Sequence, residues 1–400
     1  MSSRRARKVA PPPTPGDARR PLTLYTLADF GSAANLKTEE ANHLIAALRD
    51  DLEKVYCRRY VPRRRRPPMY ATVPMGSPIF KALSFLNMIQ PFVRFERARI
   101  YDLIASCLPC RTGFAFFHPF TFVRTQRRLR SKGLVTIAVG TNAVGKRFYD
   151  VEQEERRRLG LRLLAYDPFI EEGILAASYV LAYSEHAKES YTALGVPEER
   201  IFVIPPGVDA ARFRPGKKRD KKFRLLMVAD FTVMKGAQYL LEAWRDLALG
   251  DAELVLVGVP LAEMRGLFSG YRREVPSVRF TGHTDNLLPY YQQASAFVFP
   301  SLAEGWGKVV SEALACGLPV VTTTETGAKD AIQDGVNGFI VPARDMKALK
   351  EKIRWLYEHP KEAARMGEAA RRTGVSYSWS RFERGVKRAF QEIRRREEVA

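Results

Sequence analysis

Ala296-Phe297-Val298-Phe299-Pro300-Ser301-Leu302-Ala303-Glu304-Gly305-Trp306-Gly307-Lys308-Val309-Val310-Ser311-Glu312-Ala313-Leu314-Ala315-Cys316-Gly317-Leu318-Pro319-Val320 is the most informative stretch of this 400-residue chain. The apolar run Ala296–Phe299 predicts a strand that stops at Pro300, and a glycine-rich turn then leads into a helix over Lys308–Ala315. Glycines at 305 and 307 let backbone amides come close to a ligand, and the helix start adds a partial positive charge. That arrangement suits a diphosphate. Glu304 lies before the helix and Glu312 just over a turn inside it. A rise of about 1.5 Å per residue separates the two by up to roughly 12 Å. This is the length that places one carboxylate on a sugar and the other on a ribose, with a diphosphate between them. A capped helix with one solvated glutamate would account for Glu304 alone, but not for the whole string.

Outward from this segment the pattern is strand, helix, strand. Strands are expected at 223–229, 253–257, 278–281, 318–323 and 339–342, with helices at 237–249, 287–293 and 346–358 and a last helix over 380–396. Upstream, 205–222 holds prolines, glycines and a basic run without hydrophobic period, which marks a junction. Before it, strands are expected at 21–28, 113–117, 134–139 and 201–204, with an apolar segment at 176–183. Helices are expected at 37–52, capped by Thr38 with Glu39 and Glu40 in its first turn, at 79–95 and at 186–194. A loop is expected at 29–35 and a charged, proline-containing break at 58–68. The reading is α/β, two doubly wound Rossmann-like domains facing a cleft: a basic tail (1–20), a first domain (21–210), a second (211–378) and a closing helix (379–400).

The first twenty residues carry Arg4, Arg5, Arg7 and Lys8 and no apolar core, so no secretory signal is expected. Four cysteines fit a reducing compartment; Cys107 and Cys110 lack the second pair that a zinc site needs. A cytoplasmic protein is the expectation. Of the net charge of +21, residues 51–150 carry +14, from 19 Lys and Arg against 5 Asp and Glu. Such a field attracts phosphates in nucleic acid, lipid headgroups or a phosphorylated substrate.

The Glu304-x7-Glu312 segment resembles the signature of the family 4 retaining glycosyltransferases, GT-B enzymes that use nucleotide-diphosphate sugars. Val203–Asp209, Lys235-Gly236 with Tyr239–Ala243, Phe280–Gly282, Ala296–Ser301, Gly327–Gly338 and Trp379 also fall in register, so the resemblance spans about residues 165–385. It implies that Glu312 binds ribose hydroxyls and Glu304 the donor sugar. Lys235 would neutralise the diphosphate leaving group, and Gly305, Trp306, Gly307, Lys308 and Val309 would line the donor. It also implies retention by same-face attack, no enzyme nucleophile and no cofactor. The absence of any Asp-x-Asp agrees with chemistry that needs no metal.

This chain departs from the family at three places. Ala229-Asp230 stands where Gly-Arg is usual, so Asp230 brings a like charge towards the donor phosphates. Ala138 occupies the usual histidine position, which makes His118 the candidate substitute. The first glycine pair is reduced to Gly31, which leaves acceptor recognition open.

Gly140–Arg147 nearly matches a P-loop but has Arg147 where Ser or Thr should hold magnesium, and no helix start is evident beside it. Lys146 and Arg147 remain acceptor-side candidates for a phosphate. A nucleic-acid-binding protein is disfavoured because Arg63–Arg66 sits in no recognisable module; a silent GT-B protein that only binds is the third alternative. The expected partners are a nucleotide sugar, an acceptor without a name and, from the apolar segment 79–95 flanked by arginines, the anionic inner face of a membrane.

Overall fold

The computed structural model describes residues 21–30, 36–60, 70–72, 96–119 and 121–399. Seven strands form the first sheet: β1 (Leu22–Phe30), β2 (Leu52–Tyr60), β3 (Tyr70–Thr72), β4 (Phe114–His118), β5 (Val135–Gly140), β6 (Tyr179–Ala182) and β7 (Ile201–Val203). Their order is β3-β2-β1-β4-β5-β6-β7. Six form the second: β8 (Phe223–Val228), β9 (Ala252–Val257), β10 (Val278–Phe280), β11 (Ala296–Phe299), β12 (Val320–Thr323) and β13 (Gly338–Val341), in the order β10-β9-β8-β11-β12-β13. Pairings within β1–β5 and within β8–β13 are parallel. Each sheet steps outward in one direction and then reverses beside its first strand, the doubly wound order. Helices cover both faces, so β4, β5, β11 and β12 are buried along their whole length and read as near-continuous apolar runs.

By contact, the described residues divide into two compact units. One takes those of Met1–Val139, Glu172–Val180 and Lys387–Ala400; the other takes Gly140–Glu171 and Leu181–Val386. The first unit's interior is aromatic: Tyr25 stacks on Phe117 at 5.1 Å, and Phe122 meets the edge of Tyr101 at 5.4 Å. Its short basic helix Val123–Arg130 has no cap of its own. The buried Asp102 serves instead, accepting from the amides of Arg124 (2.7 Å) and Thr125 (2.9 Å). The second unit packs its sheet around Leu225, Met227, Leu254, Leu256 and Val298, against Leu240 and Trp244 of the helix Ala237–Leu247.

The second sheet follows the sequence reading to within two residues at each strand end; the first does not follow it throughout. The helix expected over 37–52 spans Leu36–Ala47, so Thr38 lies inside it rather than at its cap. β2 begins at Leu52 and runs into the first three residues of the expected basic break (58–68), whose remainder lies outside the described residues: Val55 and Tyr56 are core residues, and the Asp50-Asp51 turn hides the change of period. β1 continues through Asp29 and Phe30, which were expected to open a loop. Glu40, expected in the helix's first turn, is buried. The helices Lys146–Arg158, Arg265–Glu274 and Pro360–Ser376 were not foreseen. The segment 79–95, Arg63–Arg66 and Gly31 lie outside the described residues.

Candidate functional site

In a doubly wound sheet the crevice opens beyond the carboxyl ends of the strands where the order reverses, here β8 and β11. β8 leads through Ala229 and the exposed Asp230 into the tight turn Val233–Lys235. Gly236 follows with φ of 71°, and a Cβ on it would collide with the Pro300 carbonyl; only glycine lets the two strand ends approach so closely. Ser301 Oγ and the Leu302 amide both donate to the Met234 carbonyl, at 2.9 and 2.8 Å, and tie the two loops together. The result brings Lys235 Nζ onto Glu304 Oε2, with both side chains partly open to solvent.

Glu304 is fixed through its backbone. Its amide donates to the Glu325 carbonyl (3.0 Å), and its carbonyl accepts from the Gly327 amide (2.9 Å). A Cβ on Gly327 would strike the Gly305 carbonyl and Ser184 Oγ, and one on Gly305 would strike Thr141 O. Ser184 Oγ donates to the Gly305 carbonyl (2.6 Å) and accepts from the Ala187 amide (3.0 Å), so one hydroxyl caps the helix Glu185–Ala193 and holds the glycine turn. Gly307, with φ of 85°, opens the helix Lys308–Ala315 without a side-chain cap. Lys308 and Val309 lie half-buried in its first turn.

Glu312 is 7 % exposed and accepts from the Tyr291 hydroxyl at 2.8 Å. Burial and then the Glu312 charge hold the Tyr291 phenol well above its usual range. The same two causes push the Cys316 thiol up to about 12. Trp306 is in the core, its Nε1 donating to Ser311 Oγ at 2.9 Å, so its indole supports the turn from behind.

The loop after β5 belongs to this unit as well. Contrary to the sequence reading, a helix does start beside it, at Lys146 after Gly145. The strand–loop–helix shape of a P-loop is therefore present, but Lys146 pairs with Asp150 one turn on, at 2.7 Å to both carboxylate oxygens. Arg147 reaches Glu325 Oε2 at 3.5 Å. His186 Nε2 stands 4.0 Å from the same carboxylate, and burial, with Lys329 and Arg147 nearby, holds its imidazole down to about 4. His118 is in the first unit, at the end of β4. It is 1 % exposed, with Nε2 3.0 Å from Glu40 Oε2 and Nδ1 3.4 Å from Thr26 Oγ1.

Glu304, Lys235, Gly305 and Gly307 thus share one loop cluster, Glu312 lies inside the helix that follows it, and Arg147 joins the cluster through Glu325. Sequence reading missed Ser184, Glu325, Tyr291 and His186. Only Ser184 carried a local signal, a capping serine ahead of Glu185. Among the described residues no group of three or more His, Cys, Asp or Glu is placed to hold a metal.

This geometry agrees with what the chain is similar to. Residues 209–373 match the family described as glycosyl transferases group 1. That segment is a group 1 glycosyl transferase domain. The chain is 29% identical over 221 residues to a D-inositol 3-phosphate glycosyltransferase of Frankia alni, 48% of this chain and 53% of that one. It is 31% identical over 243 residues to D-inositol 3-phosphate glycosyltransferase 2 of Catenulispora acidiphila, 55% of this chain and 56% of that one. The chain therefore spans about half the length of the curated relatives it matches. Sucrose-phosphate synthase from Thermosynechococcus elongatus shares the fold with a TM-score of 0.69 at 20% identity, over 94% of this chain and 99% of that one. Anabaena HepE in complex with UDP does so with 0.67 at 14% identity, over 93% and 100%. The architecture is GT-B.

Proposed function

We propose that this GT-B protein transfers a glycosyl group from a nucleoside diphosphate sugar to an acceptor hydroxyl, with retention and without a metal. The observation that carries the reading is the meeting of Lys235 with Glu304 at the reversal of the second sheet, beside the uncapped start of the helix Lys308–Ala315. A diphosphate there replaces Glu304 as the counter-charge of Lys235 and takes the helix-start amides, which releases Glu304 for sugar hydroxyls. Glu312 accepts from the ribose. As the C–O bond to the diphosphate breaks, Lys235 stabilises the charge left on it. The acceptor oxygen forms its bond on the same face, and its proton passes to the departing phosphate oxygen.

The next groove along the same strand ends, a cavity of ≈ 280 Å³ between β9, β10 and the helix Arg265–Glu274, is walled by Phe268, Phe280 and Arg272 and suits the base. The acceptor is a phosphorylated polyol. Arg147 supports this, since its exposed guanidinium is shared with a single carboxylate, and so do the names of the relatives, which act on D-inositol 3-phosphate.

The test is a thermal-shift panel of UDP, GDP and ADP with magnesium or EDTA, followed by product analysis with the matching sugar nucleotide and D-inositol 3-phosphate. Stabilisation by one diphosphate in EDTA, and a glycosylated product whose anomeric configuration matches the donor, are expected. A response to Mg-ATP alone, or turnover that EDTA abolishes and magnesium restores, overturns the reading.

A further inference from the structure

The polar joint behind Lys235 is larger than a helix contact requires. Glu155, in the third turn of the helix Lys146–Arg158, is 2 % exposed, yet four donors converge on its carboxylate. Tyr239 Oη donates to Oε1 at 2.6 Å and Gln238 Nε2 to Oε2 at 3.2 Å. Arg344 Nε stands 3.1 Å from Oε1 and Arg158 Nε 3.3 Å from Oε2. A buried carboxylate is costly unless it is paired and hydrogen-bonded in this way.

Two features tie the joint to the site. Gln238 uses the same Nε2 to donate to the Val233 carbonyl at 2.9 Å, so the group that grips Glu155 also closes the turn Val233–Lys235 from below. Arg344 is one of two non-glycine residues in the described chain with a positive φ, at 69°. A left-handed backbone costs about 1 kcal/mol or more for a side chain of this kind. The strain is held by bonds to one helix: Arg344 reaches Glu155, Glu154 (2.8 Å) and the Val151 carbonyl (3.3 Å).

We infer that Glu155 is a positioning residue for Lys235, which it aims at the donor diphosphate by clamping Gln238 and Tyr239 to the helix that starts at Lys146. The inference rests on the reading of Lys235 given above. The turn is pinned in front by Ser301 and Leu302 on the Met234 carbonyl and behind by Gln238 on the Val233 carbonyl. Release of the rear clamp leaves the lysine's charge in place but loosens its aim. Since the first turn of the same helix carries Arg147, the clamp also sets the spacing between the acceptor-side cation and the phosphate-binding lysine.

A double-mutant cycle tests this, with the ratio of dissociation constants for UMP and UDP (or the pair whose base the protein prefers) as its readout. The ratio reports what the second phosphate gains and is insensitive to a general loosening of the fold. Lys235→Ala should cut it at least tenfold. Glu155→Ala should cut it at least threefold in the native background and by nothing further in Lys235→Ala, with Glu155→Asp intermediate. Tyr239→Phe removes a single hydroxyl from the joint, and the same cycle run with it decides between the outcomes if Glu155→Ala does not fold. A ratio lowered by Lys235→Ala but untouched by Glu155→Ala and Tyr239→Phe overturns this inference alone, as does a further loss in the double variant. An unchanged ratio in Lys235→Ala overturns the role of Lys235, and the inference with it.

Discussion

Glu304 and Glu312 sit eight positions apart in surroundings that assign them different failures. Glu312 is buried with a phenol bonded to it, whereas Glu304 faces Lys235 at a partly open edge. Glu312→Ala should weaken binding of the bare nucleotide and lower kcat/KM by a hundredfold or more, since two charge-assisted bonds contribute on the order of 3 kcal/mol. Glu304→Ala should lower kcat and leave nucleotide affinity nearly intact. Calorimetry beside steady-state kinetics separates the two, and equal loss of affinity in both variants would reverse the assignment. His186 makes a pH prediction. Its imidazole is held at about 4 against an ordinary 6.5, so between these values the unfolded chain binds the extra proton. Its contribution is then complete above pH 6.5 and is lost as the pH falls towards 4. The loss is on the order of 3 kcal/mol. Urea midpoints at pH 7 and pH 4.5 should fall further in the native protein than in His186→Gln; an equal fall in both would contradict this. Glu304 and Glu312 stood out because their spacing along the chain is itself a signal, whereas Lys235, 69 positions from Glu304, followed only from the family resemblance of its Lys-Gly motif. Ser184 was not legible as a site residue, since the carbonyl it holds is 121 positions away.

The turns that carry these side chains depend on glycines whose conformational freedom and lack of bulk are separable. Gly335 has φ of 74° and open space around its missing Cβ, so Gly335→Ala should cost only backbone strain, about 1 kcal/mol. Gly327 would drive a methyl into the Gly305 carbonyl and Ser184 Oγ. Gly327→Ala should therefore cost at least about 2 kcal/mol and lower turnover as well, because the Glu304 carbonyl rests on the Gly327 amide. Denaturant titration and initial rates on both variants check this, and similar stability losses would count against the packing argument. Most strands of the second sheet were readable because burial on both faces makes them short, nearly unbroken apolar runs between turn residues; the edge strand β10, with Arg279 exposed, is the exception. β2 was not, because only Val55 and Tyr56 stand out among charged neighbours. The helix Lys146–Arg158 was hidden for a related reason: its buried face is polar, built from Gln153, Glu155 and Arg156 around Phe148. Apolar periodicity does not register a joint made of ion pairs.

For the molecule as a whole, the basic charge needs a counterpart. Among the described residues no helix is long and apolar enough to cross a membrane. Arg124, Arg127 and Arg130 are exposed on the Asp102-capped helix, and Leu103 is exposed as well. Liposome flotation at low and moderate salt should show binding to anionic and not to neutral vesicles, weaker at the higher salt and in Arg124→Ser/Arg127→Ser/Arg130→Ser. Failure to float with either lipid would assign the charge to a soluble, phosphorylated acceptor. The way the backbone passes between the two compact units bears on synthesis. Phe390 meets Phe114 at 5.2 Å and Phe116 at 5.7 Å, and Arg394 reaches Asp51 at 3.0 Å. Strands made early are thus covered by residues made much later along the chain. Until then Phe114 and Phe116 present a bare aromatic surface, so a nascent chain stalled before residue 387 should need a holding chaperone that the finished chain releases.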